Sequence, residues 1–93
     1  MARASTGAST RLEVTVRYFA SARAARGSEA ETLIVDAGTT VGELIDGLAR
    51  RDEKLGAVLS RCSYLCDAVA VRDRSIRLRT GHVIDVLPPF AGG

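Results

Sequence analysis

From Arg11 to Phe19 the chain alternates, with Leu12, Val14, Val16 and Tyr18 on one side and Arg11, Glu13, Thr15 and Arg17 on the other. A period of two places the first set against a core and the second in solvent, which predicts a half-buried strand. Phe19 breaks the alternation where the chain leaves the sheet. Ala20 to Arg26 is rich in alanine and arginine, both good helix formers, and Gly27 follows as a C-cap, so a short helix is predicted. Glu31 to Asp36 reads as a second strand through Thr32, Leu33, Ile34 and Val35. Only Gly27 to Ala30 separate the short helix from this strand, so the two strands are expected to pair as a wide antiparallel hairpin closed by Asp36-Ala37-Gly38.

The clearest helix opens at Thr40. Thr40 with Glu43 three residues on has the form of a capping box. Val41, Leu44, Ile45, Leu48 and Ala49 then make one continuous apolar stripe at helical spacing. Gly42 and Gly47 each weaken the helix by roughly 1 kcal/mol against alanine, and both are expected to allow close packing on a sheet. Arg50, Arg51 and Lys54 complement the dipole at its end. Leu55, Val58 and Leu59 repeat the helical spacing after Asp52-Glu53, which predicts a second short helical segment. Tyr64 to Val71 reads as one largely apolar central strand. Arg72 to Ser75 is a polar turn. Ile76 and Leu78 alternate with Arg77 and Arg79 as a short strand with a basic, solvated face. Thr80-Gly81-His82 turns into a last strand, Val83 to Leu87. The order predicts an α+β domain, a mixed sheet with one main helix packed across one face. If the first and last strands are parallel neighbours in mid-sheet, this is the ubiquitin-like β-grasp. That pairing is a choice of topology; periodicity does not supply it.

Composition narrows the partners. The 93 residues make one domain. A net charge of +2 does not by itself point to nucleic acid. No apolar run approaches the ~20 residues of a membrane span. Residues 1–10 lack the apolar centre of a secretory signal and are expected to be a disordered tail ahead of a domain at 11–87. Cys62, Cys66 and the lone His82 fall short of a zinc ligand set, so no metal is expected. The cysteines read as reduced, at least half-buried thiols of a cytoplasmic protein.

Residues 88–93 form a distinct tail. Pro88 and Pro89 end the last strand, because proline lacks a backbone donor and cannot continue a central strand. Phe90, Ala91, Gly92 and Gly93 follow. Paired glycines cost entropy when ordered, but without Cβ atoms they enter a slot that side chains would block. The group delivered is the α-carboxylate of Gly93. The competing reading is a frayed end.

Three stretches resemble the MoaD/ThiS-like sulfur carrier family, most closely the small subunit of molybdopterin synthase. They are Tyr18-Phe19-Ala20 with Arg23 and Gly27; Thr39-Thr40-Val41 with Leu44 and Leu48; and Gly81 through Gly93. The last is similar to a Gly-Asp-x-Val-x-x-x-Pro-Pro-x-x-Gly-Gly pattern, shared with the sulfur carrier of thiamine biosynthesis. His82 stands where an aspartate is common, and Arg72-Asp73-Arg74 replaces a usual Asn-Gly-like turn. The resemblance implies a carrier with no bound cofactor and no autonomous active site. An ATP-dependent adenylating enzyme would activate Gly93, and a sulfur donor would convert it to a thiocarboxylate. The tail would then enter the large subunit of molybdopterin synthase, with Pro88, Pro89, Phe90, Ala91 and Gly92 contacting the partner: Pro88 and Pro89 limit flexibility, Phe90 anchors the tail, and Gly92 and Gly93 give slender access. The alternatives are a carrier for another pathway such as thiamine thiazole synthesis, a ubiquitin-like protein modifier, or an inert interaction module. A carrier must dock on other proteins, so an apolar patch is expected on the outer sheet face near the tail.

Overall fold

The computed structural model describes residues 10–89. The opening alternation forms β1 (Arg11–Tyr18), which buries Val14, Val16 and Tyr18. Helix α1 (Ala20–Arg26) follows and tucks Ala22 against the core. It ends at Gly27, whose φ of 81° is left-handed and whose N–H donates to the Arg23 carbonyl at 2.8 Å. Strand β2 (Ala30–Asp36) returns antiparallel to β1, with Leu33 beside Val14.

Helix α2 (Val41–Arg51) presses Val41, Leu44, Ile45 and Leu48 onto the sheet. Its capping box is formed. The Thr40 hydroxyl accepts from the Glu43 N–H at 3.1 Å, and the Glu43 carboxylate accepts from the Thr40 N–H at 3.0 Å. Asp52 ends α2 and caps α3 (Glu53–Leu59) by accepting from the Leu55 N–H at 3.2 Å. The two helices meet closely at Gly56, where a Cβ would stand 2.9 Å from the Ala49 carbonyl oxygen. Gly42 and Gly47, expected to admit the sheet, do neither. Gly42 faces the backbone of Arg74, to whose carbonyl its N–H donates at 2.9 Å, and among the described residues a Cβ on Gly47 meets nothing within 4 Å.

Two strand assignments change. Tyr64 to Val71 is a hairpin of β3 (Ser63–Cys66) and β4 (Val69–Ala70). Asp67 and Ala68 turn between them with φ of 49° and 69°. Asp67 is the one turn-type residue and neither glycine nor asparagine follows it, so the apolar run disguises the break, and Val69 lies 69% exposed at an edge. Ile76 to Arg79 is not a strand; Arg77 makes one isolated bridge to Thr40. The start of α2 explains this path. The first N–H groups of a helix have no partner within it. The carbonyls of Ile76 and Arg74 accept from Val41 and Gly42 at 3.0 and 2.9 Å, which draws the loop against the helix and buries Leu78.

Strand β5 (Val83–Leu87) lies between β1 and β3, parallel to the first and antiparallel to the second. The five-stranded order is β2-β1-β5-β3-β4. This is the β-grasp arrangement, with the first and last strands paired in mid-sheet.

One polar cluster ties α1 to the sheet. The Tyr18 hydroxyl donates to Glu31 at 2.6 Å, and Arg26 donates twice to the same carboxylate, both at 2.9 Å. The Arg26 hydrogen bonds hold the Glu31 carboxyl below its ordinary value of 4.5. A depressed folded-state value means stability that is present above pH 4.5 and lost as pH falls through the folded value. Glu31→Gln should therefore lower the melting temperature at pH 7 and flatten the acid limb of the stability–pH curve, read by thermal melts across pH. Gly56→Ala should cost about 1–3 kcal/mol in denaturant unfolding, because the added methyl meets rigid backbone.

Candidate functional site

Strand β5 carries the chain to the edge of the fold beside the end of β1. Tyr18 stands next to Val86, and the Phe19 N–H donates to the Val86 carbonyl at 3.3 Å. Pro88 is half-buried and Pro89 exposed. They close one side of a groove of about 490 Å³, whose other walls are Ser21 of α1, Ala57 and Val58 of α3, and Arg61. The proline pair therefore rests on the rim of the two short helices. Phe90, Ala91, Gly92 and Gly93, the rest of the sequence-predicted site, lie outside the described residues.

The outer face of the sheet centres on an ion pair. Asp85 sits in the middle of β5, directly beside Arg17 of β1 and Leu65 of β3. Arg17 grips it with both ends of its guanidinium, Nε to Oδ1 at 2.6 Å and Nη2 to Oδ2 at 2.9 Å. Asp85 is only 5% exposed, whereas the Arg17 side chain is 51% exposed. The hydrogen bond to Asp85 pushes the Arg17 pKa up, so the arginine stays charged. The guanidinium also lies 5.8 Å from the ring centroid of Phe19, within cation–π range. Leu65, Val83 and Leu87 occupy alternate, half-buried positions on the same face. The apolar surface expected near the tail is thus built from Phe19, Leu65, Val83 and Leu87 around a charge pair. Sequence reasoning assigned none of these strand residues to the surface. The available signal was Asp85, a lone acid inside an otherwise apolar five-residue strand.

The basic segment lies elsewhere. Arg77 and Arg79 line a groove of about 800 Å³ with Leu12, Ile76 and Leu78, at the end of β1 remote from Pro88. Arg74 covers the Tyr64 ring at 5.0 Å. His82 is a turn residue, as read from the sequence; its Nδ1 accepts from the Arg79 N–H at 3.0 Å. Among the described residues no group of three or more His, Cys, Asp or Glu is placed to hold a metal ion. No helix there is long and apolar enough to cross a membrane.

Cys62 and Cys66 are free thiols, the first buried and the second half-buried. The Cys62 thiol donates to the Val58 carbonyl at 3.2 Å. Burial pushes both thiols up from the ordinary 9.0, and Asp67 adds to the shift at Cys66. Neither is an activated nucleophile, because the thiolate is the reactive form.

A mixed sheet with parallel first and last strands, one main helix across it and a proline-terminated central strand defines a ubiquitin-like β-grasp domain. The chain belongs to the ThiS family, whose model matches residues 16–93, and so to the MoaD/ThiS-like sulfur carriers. No curated protein matches it. Among solved structures, it is similar to the Haloferax volcanii HVO 2177 protein, at 26% identity and a TM-score of 0.79 over 90% of this chain and 89% of that one. It is similar to a chain in the complex of subunits 1 and 2 of molybdopterin-converting factor from Helicobacter pylori, at 27% identity and a TM-score of 0.64, covering 88% and 100%. Small archaeal modifier protein 1 of Haloferax volcanii shares the fold, at 21% identity and a TM-score of 0.74, covering 85% and 99%.

The raised thiols give a direct test. Alkylation of Cys62 and Cys66 by iodoacetamide should be slower at pH 7 than for a free cysteine, with the midpoint of the rate–pH profile above pH 9.0. Fast labelling at neutral pH in the folded protein would contradict the assignment.

Proposed function

We propose that this protein is the small, sulfur-donating subunit of a molybdopterin synthase, with Gly93 as the reacting residue. The observation that carries the reading is the ThiS family match, which runs through the Pro88-Pro89 junction to Gly93 itself. The likeness to the Helicobacter pylori complex supports a large-subunit partner.

The chemistry begins with a poor electrophile. A carboxylate oxygen of Gly93 attacks the α-phosphorus of ATP on a separate activating enzyme, and pyrophosphate leaves. The acyl-adenylate now has a good leaving group. Sulfur from a donor adds to the acyl carbon, AMP departs, and a thiocarboxylate remains. Its sulfur is a better nucleophile than the original oxygen. Within the large subunit the thiocarboxylate sulfur bonds to carbon of the precursor of the molybdopterin dithiolene, and water cleaves the acyl–sulfur bond, returning Gly93 to its carboxylate. This chain supplies positioning. The prolines restrict the base of the tail, so less conformational freedom is lost on docking. The glycines present backbone without side chains to a narrow channel. The outer face with Leu65, Val83, Leu87 and Phe19 is the docking surface, and the Arg17–Asp85 pair at its centre fixes orientation.

The first test is intact mass after incubation with ATP, an activating enzyme and a sulfur donor. The expected gain is that of one oxygen replaced by one sulfur, located at Gly93. Deleting Gly93 should abolish it, and replacing both cysteines with alanine should not. A covalent adduct to a lysine of another protein would instead favour a ubiquitin-like modifier. Leu65→Arg should weaken binding to the large subunit by about tenfold or more, as expected for a residue at a desolvated interface centre, while leaving the thermal melt intact.

A further inference from the structure

Among the described residues strand β2 is a sheet edge seven residues long, paired only with β1. Its hydrogen-bond phase is set by flanking contacts. The Tyr18 N–H donates to the Glu29 carbonyl, and the Ala37 N–H to the Thr10 carbonyl. In the register between them, Glu31, Leu33 and Val35 exchange bonds with β1. The backbone groups of Thr32 and Ile34 consequently point away from the sheet. The edge has no proline and no bulge, and Ile34 is 56% exposed. Natural edges are usually blunted by such devices or covered.

Beside this edge runs a groove of about 190 Å³ between β2 and α2. Glu43, Gly47 and Arg51 line it from α2, at i, i+4 and i+8, opposite Leu33, Ile34 and Val35. Among the described residues Gly47 has no packing partner, since a Cβ there meets nothing within 4 Å. A mid-helix glycine without such a partner costs roughly 1 kcal/mol against alanine.

We infer that the β2 edge and this α2 stripe form a surface for a second copy of the same chain. Two β2 strands pair antiparallel about Leu33, with Thr32 of each copy opposite Ile34 of the other. Those residues exchange both backbone bonds, and the two Leu33 side chains meet in the closer, non-hydrogen-bonded position. In this register Glu31 faces Val35 and Asp36 faces Ala30, so no like charges are opposed. The stripe is self-complementary under the same two-fold. Its acidic end meets the basic end of the other copy twice, and the two Gly47 positions come together at the centre, where absent side chains permit close approach. Such a closed contact uses one patch twice. The seam lies at β2, with β1 between it and β5, so the Pro88-Pro89 junction stays clear; the inference does not depend on the sulfur reading.

Sedimentation equilibrium of the full chain over a concentration series tests this. A concentration-dependent dimer is expected, weakened at high salt. Thr32→Pro removes an outward N–H without touching the β1 ladder, and Gly47→Gln fills the seam while favouring the helix. Each should weaken dimerisation by about tenfold or more, with the thermal melt confirming a folded chain. If Thr32→Pro does not fold, Gly47→Gln and Arg51→Glu decide. A chain that stays monomeric to about 1 mM, the weak end of specific association, overturns the inference. So does a dimer indifferent to these variants, or a monomer whose edge takes up only a foreign extended peptide.

Discussion

Everything in this fold hangs on the pairing of two strands from opposite ends of the sequence. Val16 lies beside Ile84 and Tyr18 beside Val86, in parallel, at the centre of the sheet. The hairpin of β1 and β2 extends the sheet on one side, and β3 with β4 on the other. Neither half buries its apolar face alone. Val14, Val16, Ile84 and Val86 become nearly inaccessible only when α2 closes over the joined sheet. Such contacts carry the full entropy of closing the intervening loop, so the fold forms as a unit rather than from its ends.

The same pairing builds the functional end. Because β1 and β5 run in the same direction, β5 finishes where β1 turns into α1. The proline junction then meets the rim of α1 and α3 and the margin of the outer face. The far end of the sheet holds the arginine-rich loop, committed through its carbonyls to the start of α2. The proline junction and the capping of α2 thus occupy opposite ends of one strand pair.

Local rules made much of this legible in the sequence. The alternation of β1, the Thr40–Glu43 box, the apolar stripe of α2 and the Gly27 cap each depend on residues within a turn or two, and each stands where the pattern puts it. Where partners were distant the reading failed. The Asp67-Ala68 turn carries no glycine or asparagine, so its left-handed backbone is imposed by the strands it joins. The loop at Ile76 follows the unpaired donors of α2, a demand visible only once helix and loop are side by side. The Arg17–Asp85 pair joins residues 68 apart, and nothing near either announces the other. The tail motif carried the proposal for Gly93, while the residues of the outer face beside Arg17 and Asp85 awaited the register.

That register has a consequence for reach. Sliding β5 by one residue against β1 would turn Asp85 into the apolar layer and bring Ile84 and Val86 out; sliding it by two would part Asp85 from Arg17. The ion pair therefore acts as an index pin. It sets which residue is the last one held by the sheet, and so how much chain is paid out beyond it. Six residues, 88 to 93, span at most ~20 Å when fully extended. On the proposed sulfur-carrier reading, a partner's channel has to match that measure, and the pin deep in the sheet keeps the measure constant.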